Sequence, residues 1–153
     1  TGVNMSADTT VRLAEIDNIV AIKEASGDVT QASEIIARAG DKIDVLSGDD
    51  FLTLPLMACG AKGVISVTAN IMPKQVKDMV QSIKDGRWAA AKELHLRLLD
   101  VHQAMFIEAN PVPVKTAAAL MGKCQTDVRL PLVAMQVDTL EQLQTVLKKH
   151  NLI

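Results

Sequence analysis

The stretch IVAIKEASGD, from Ile19 to Asp28, decides how the rest of the chain is interpreted. Its first half is an uninterrupted run of apolar and β-branched residues, which is typical of a parallel strand buried on both faces. The run ends at Lys23 and breaks at Gly27, so the lysine falls at the carboxyl end of the predicted strand. In parallel α/β folds the chemistry gathers at that end. A lysine amine there can attack a carbonyl carbon and form a Schiff base.

Alternating elements flank this strand. We predict strands over 19–23, 43–46 and 64–67, each followed by a helix, with a short helix ahead of the first strand. Such alternation indicates a parallel sheet with helical crossovers. Beyond Asn70 the pattern is helical throughout. Because three strands leave sheet faces and edges in need of cover, we expect the natural chain to continue upstream or a partner to supply the rest.

The composition argues against several classes of protein. The 153 residues are 48% hydrophobic with a formal net charge of −2, which suits one globular domain or a large part of one. Neither nucleic acid nor a membrane is expected as partner, because the charge is near zero and no apolar run approaches the about 20 residues that span a bilayer. No metal is expected, since the histidines and cysteines lack metal-ligand spacing. Cys59 is predicted to be a buried free thiol in a reducing cytoplasm.

Lys23 has a simpler alternative role. Alternation along the strand puts Ala21 and Lys23 on one face and Glu24 on the other, and the small alanine leaves room for a long side chain. A lysine at a strand end can instead merely extend its ammonium group into water. We predict that Glu24, on the helix-facing side, is structural.

The ends of the second and third strands carry further candidates. Asp49 and Asp50 suggest an acid–base or metal-binding pair, although an aspartate at a helix start more commonly accepts backbone N–H bonds. Gly48 allows the backbone to approach a ligand closely. Ile65 lies within the third predicted strand, where core packing is its simplest role.

Four motifs in the same order and spacing resemble the dihydrodipicolinate synthase family of pyruvate-dependent class I aldolases. They are IKEASGD at 22–28, LSGDD at 46–50, GVISVTAN at 63–70 and NPVPVK at 110–115. The later RLPL at 129–132 fits as well. The resemblance covers essentially the whole chain.

The resemblance implies a fold and a reaction. The fold is a (β/α)8 TIM barrel, whose last three strands and their helices occupy 1–85, followed by a C-terminal helical domain over 86–153. The reaction condenses pyruvate with aspartate 4-semialdehyde in the diaminopimelate route to lysine. By motif match, Lys23 forms the imine with pyruvate, the backbone of Gly48 lines the pocket and Ile65 contacts pyruvate. No metal or organic cofactor is implied, because the lysine supplies the electron sink, and a cytoplasmic homodimer or homotetramer is expected.

The chain also departs from the family pattern. A Gly-Thr-Thr-Gly-Glu motif binds the pyruvate carboxylate and relays protons in the family, and it is missing here together with the proton-relaying tyrosine, since the chain has no tyrosine. We therefore expect the C-terminal half of the enzyme, inactive on its own. The alternatives are a related pyruvate lyase, such as an N-acetylneuraminate lyase or a keto-deoxy-sugar aldolase, and a non-catalytic fragment whose apolar helical stripes serve oligomerisation.

Overall fold

The computed structural model describes residues 2–153 and has an α/β architecture. Within that range the chain forms one three-stranded parallel sheet with the order β1–β2–β3. The strands are Ala21–Glu24 (β1), Asp44–Ser47 (β2) and Gly63–Val64 (β3). The predicted alternation of parallel strands with helices is confirmed.

Seven α-helices accompany the sheet in the described residues. In chain order they are Ala7–Leu13 (α1), Val29–Ala39 (α2), Thr53–Ala58 (α3), Pro73–Lys84 (α4), Trp88–Met105 (α5), Val112–Leu120 (α6) and Val137–Lys149 (α7). Single 3₁₀ turns lie at Gly40–Lys42 and Thr68–Asn70. Within residues 2–153, none of these helices has the length and apolar character that a membrane crossing requires.

The helix α2 follows directly from its sequence. The Asp28 carboxylate accepts hydrogen bonds from the backbone N–H groups of Thr30 and Gln31 at 2.7 and 3.3 Å and so caps the helix. Ala32 and Ile35 lie one turn apart and are fully buried, which defines the inner face. Through this face α2 packs against α1, α3 and β2.

The helices cover one face of the sheet. Val45 and Ser47 of β2 are buried on that face. Glu24 of β1 is aligned with Ser47 and therefore lies on the same face, where its exposed fraction is 5%. Ala21 and Lys23 lie on the opposite face and are exposed. The prediction of a first strand buried on both faces is therefore wrong, because the part of the chain described here supplies helices to one face alone.

The third strand is shorter than predicted. The sequence pattern predicts a strand over 64–67, but β3 ends at Val64. Ile65 still donates its backbone N–H to the carbonyl of Ser47 at 2.8 Å, which extends the pairing by one residue. The chain then leaves the sheet and enters the 3₁₀ turn at 68–70.

Cys59 is exposed, contrary to the prediction of a buried thiol. It caps the carboxyl end of α3, where its N–H bonds to the carbonyls of Pro55 and Leu56 at 3.2 and 3.1 Å. The chain turns at this point towards the loop before β3. Its apolar neighbours in sequence therefore do not enclose the thiol.

The described chain divides into two compact units. One runs from the start of the described residues to Ser66 and includes 79–92, and the other comprises 67–78 and 93–153. The first unit contains the sheet with α1, α2 and α3. The predicted division into a barrel part over 1–85 and a helical domain over 86–153 stays a prediction.

The helical unit has its own core and polar links. Its fully buried residues include Leu98, Val101 and Met105 of α5 together with Leu143 and Leu147 of α7. At the surface, Asp100 of α5 accepts hydrogen bonds from Lys149 at 2.7 Å and His150 at 2.9 Å. One carboxylate thus ties α5 to the carboxyl end of α7.

Replacing Asp100 by asparagine is expected to lower the free energy of unfolding by about 1 kcal/mol at pH 7. Partial burial opposes ionisation, but the hydrogen bonds from Lys149 and His150 outweigh it and hold the pKa of Asp100 below its ordinary value. The ionised group therefore stabilises the fold above the unfolded-state pKa of about 3.9, and this contribution is lost as the pH falls through the lower folded-state pKa. Urea unfolding at several pH values should show that the parent chain and Asp100→Asn differ most in free energy of unfolding near neutrality. This difference should shrink below about pH 4.

The matched control is Glu93→Gln, which neutralises an exposed carboxylate on the same helix. It should change the free energy of unfolding by less than about 0.5 kcal/mol. Equal free energies of unfolding for Asp100→Asn and the parent chain at pH 7 would contradict the stabilising role of Asp100.

Candidate active site

The three predicted site residues share one face of the sheet. Lys23 is aligned with Leu46 in β2, and Leu46 is aligned with Gly63 in β3. Gly48 follows Leu46 by two residues, and Ile65 follows Gly63 by two residues. Because side chains alternate along a strand, both lie on the face that carries Lys23. All three lie at or just beyond the carboxyl ends of the strands. Ile65 is 46% exposed, so within the described residues it is a surface group of this open face rather than core packing.

Gly48 brings the backbone of β2 into direct contact with β1. Its N–H donates to the carbonyl of Glu24 at 2.6 Å. A Cβ atom at this position would lie 2.7 Å from the Cβ of Ala25 and 3.0 Å from the Cε of Lys23. Only glycine fits without displacement, because the Cβ of Ala25, the carbonyl of Glu24 and the Cε of Lys23 all border this space.

Lys23 lines a cavity of about 790 Å³ in the first unit. Segments 2–5 and 22–26, together with Asp28, form its walls. The volume lies within the range of small-molecule sites. The polar side chains among the lining residues are those of Asn4, Lys23 and Ser26 and the carboxylates of Glu24 and Asp28. The amine of Lys23 is the nucleophile among them, which suits a small polar substrate with a reactive carbonyl.

Glu24 has the structural role that its position predicts. One carboxylate oxygen accepts the backbone N–H of Ser26 at 2.7 Å, and the other accepts the side-chain amide of Gln31 at 3.2 Å. A buried carboxylate requires such donors. Glu24 thereby fixes the turn that follows Lys23 and joins it to α2.

The geometry favours structural roles for the two aspartates after β2. Asp49 accepts the backbone N–H of Phe51 at 2.8 Å, which closes a local turn. Asp50 is buried and accepts the hydroxyl of Ser66. In residues 2–153, no three acidic, histidine or cysteine side chains are grouped so that they could hold a metal ion.

Two residues near the cavity were not identified from the sequence. Asn4 and Gln31 form a reciprocal pair, in which Asn4 Nδ2 donates to Gln31 Oε1 at 2.6 Å and Gln31 Nε2 donates to Asn4 Oδ1 at 3.3 Å. Neither belongs to a recognisable motif. The pair joins positions 27 residues apart, so no local pattern could have indicated it.

Comparison with known proteins assigns the chain to a family. Residues 1–150 match the model of the dihydrodipicolinate synthetase family. The 4-hydroxy-tetrahydrodipicolinate synthase of Syntrophotalea carbinolica is 64% identical over 153 residues, which is all of this chain and 52% of that protein. The synthase of Geotalea uraniireducens is 60% identical over the same length and is covered to 53%.

Solved structures agree with this assignment. Dihydrodipicolinate synthase from Aquifex aeolicus superimposes with a TM-score of 0.94 at 48% identity, over 96% of this chain and 50% of that one. The Acinetobacter baumannii enzyme, solved in complex with pyruvate, gives 0.95 at 43% identity, over 100% of this chain and 53% of that one. The three-stranded open sheet and its helices thus match half of a TIM-barrel enzyme, as predicted.

The chain spans about half the length of the curated relatives it matches. The resemblance inferred from four short motifs is confirmed over the length of the chain. This protein belongs to the dihydrodipicolinate synthetase family.

Proposed function

We propose that this chain carries the Schiff-base lysine of a pyruvate-dependent condensing enzyme. The full enzyme joins pyruvate to aspartate 4-semialdehyde in the diaminopimelate route to lysine. The observation that carries the proposal is the position of Lys23, which lies at the carboxyl end of β1, lines the 790 Å³ cavity and packs its Cε against Gly48. The names of relatives at about 60% identity support the same reaction.

The proposed chemistry starts with the neutral amine of Lys23. Its lone pair attacks the ketone carbon of pyruvate, and loss of water leaves an imine. Once protonated, the imine draws electrons from the adjacent methyl group, which loses a proton and becomes an enamine carbon. That carbon attacks the aldehyde of aspartate 4-semialdehyde and forms the new carbon–carbon bond. Closure of the ring by the substrate's amine then displaces Lys23, so the enzyme is regenerated.

The roles of Gly48 and Ile65 follow from their shared face. Gly48 adds no side chain to the space between Ala25 and the Cε of Lys23, so Lys23 keeps its position, although Gly48 does not itself line the cavity. Ile65 presents an apolar surface on the same face, outside the cavity walls, and is proposed to contact pyruvate in the full enzyme. We further propose that the full enzyme is a cytoplasmic homo-oligomer, as the family resemblance implies.

The chain alone is proposed to lack most of the proton-transfer machinery. The tyrosine and the threonine motif expected of the family are absent from this sequence. Each general acid–base step contributes roughly 10²–10⁴ in rate. The open face around Lys23 also leaves the amine in contact with solvent in the described chain.

The amine of Lys23 is expected to trap pyruvate. Incubation with pyruvate and borohydride should give one reduced adduct, and peptide mass spectrometry should locate it on Lys23. Lys23→Arg should abolish the adduct, because a guanidinium does not form the imine, whereas Lys77→Arg, an exposed lysine of α4, should leave it intact. An adduct spread over several lysines would refute the assignment.

Gly48→Ala is expected to slow trapping at Lys23 by at least about tenfold. The added methyl group would meet both Ala25 and the Lys23 side chain, so the amine must move. Gly63→Ala is the matched control, because a Cβ there meets nothing closer than Leu46 at 3.7 Å. Equal trapping rates for the two variants would show that the close approach at Gly48 is unimportant.

Turnover by this chain is expected to fall at least about 10²-fold below that of a full-length relative. Pyruvate and aspartate 4-semialdehyde are supplied to both proteins, and product formation is followed spectrophotometrically. Turnover equal to that of the relative would disprove the predicted inactivity. Cleavage of N-acetylneuraminate with no product from aspartate 4-semialdehyde would favour the related lyases.

A further inference from the structure

A polar cluster lies behind the cavity wall at Lys23, and its centre is the amide of Gln31. The Nε2 atom of Gln31 lies 3.2 Å from a Glu24 carboxylate oxygen, 3.3 Å from Asn4 Oδ1 and 3.3 Å from the carbonyl of Met5. The Oε1 atom of the same amide accepts Asn4 Nδ2 at 2.6 Å. A single side chain of α2 therefore contacts both segments that form the cavity.

The two segments are distant in sequence. Asn4 and Met5 belong to the wall formed by residues 2–5, whereas Glu24 follows Lys23 directly and holds the turn at Ser26, which lines the other wall. Because Gln31 sits on a well-capped helix with a buried inner face, it provides a rigid reference for both walls. The residue does not itself line the cavity.

We infer that Gln31 is a positioning residue, which holds the wall at residues 4–5 in register with the Schiff-base lysine. This inference rests on the proposed role of Lys23. Gln31 acts through Asn4 and Glu24 and does not touch the substrate. Without its amide, the buried Glu24 carboxylate loses one of its donors and the segment that carries Asn4 is released from α2.

The chemistry of the cluster indicates which substitutes will work. Glu24, Asn4 Oδ1 and the Met5 carbonyl are all hydrogen-bond acceptors, so the position requires donors for them. It also requires one acceptor, because Asn4 Nδ2 donates to Gln31 Oε1. Gln31→Met keeps the length and removes every polar atom. Gln31→Arg restores N–H donors for the same acceptors and adds a favourable charge towards Glu24.

Two measurements on the 153-residue chain test the inference. Gln31→Met should lower the backbone ¹⁵N order parameters of residues 3–6 to below about 0.6, which is typical of a flexible segment, because these residues lose their side-chain bonds to α2. It should also raise the pyruvate concentration that gives half-maximal borohydride trapping at Lys23 by several fold, with the final adduct unchanged. Gln31→Arg should restore part of both properties, because it supplies the N–H donors but no acceptor for Asn4 Nδ2. Gln103→Met, the same change at an exposed site of α5, is the control for both.

The outcomes separate this inference from the proposed function. If the parent chain traps no pyruvate, the proposed function is refuted, and the order parameters of residues 3–6 still decide the positioning role. If Gln31→Met matches the parent in order parameters and in pyruvate dependence, the positioning role is overturned. Should Gln31→Met fail to fold, Asn4→Ala removes the bonds between Asn4 and Gln31 and must also lower the order parameters of residues 3–6, while those of α7 stay at about 0.85. Unchanged order parameters in that variant would equally overturn the inference.

Discussion

The parallel pairing of β1 with β2 is the interaction on which the candidate site depends. It aligns Lys23 with Leu46 and Glu24 with Ser47, and it closes with the 2.6 Å hydrogen bond from Gly48 to the carbonyl of Glu24. A slip of one residue would exchange the two faces of the strand. The ammonium group would then face the helices and the carboxylate would face the open side. Burial of Glu24 with its donors therefore fixes the register that presents Lys23.

Lys23 and Glu24 are adjacent in β1 but need opposite surroundings, and the alternation of side chains along a strand provides both. The reactive group needs space and access, which the glycine at position 48 and the cavity provide. Its neighbour needs partners, which the backbone of Ser26 and the amide of Gln31 provide. The hydrogen bonds of Glu24 immobilise the turn after β1, so the face that carries Lys23 can stay open while the lysine keeps its position. This division explains why a buried acid follows directly after an exposed base.

The features that sequence reasoning predicted well are those with a local cause. The strand ending near Lys23 and the helices beyond Asn70 depend on periodicity within a few residues. The structure places Lys23, Gly48 and Ile65, which the family motifs identified, on one face of the sheet, and their roles stay a prediction. The errors share a different origin. The third strand ends shortly before Ser66, whose hydroxyl bonds to Asp50, 16 residues away in the sequence. The exposure of Cys59 reflects where α3 ends, and the contact between Gln31 and Asn4 joins positions 27 residues apart.

The open sheet also has a consequence for the behaviour of the chain in solution. In the described residues β1 and β3 are the outer strands, so each offers an unpaired backbone edge. Close to them, Val20 and Ile65 are 67% and 46% exposed. Unpaired edges beside apolar side chains are templates for strand addition between molecules. The two sheet edges are therefore the places at which copies of this chain would add strand to strand.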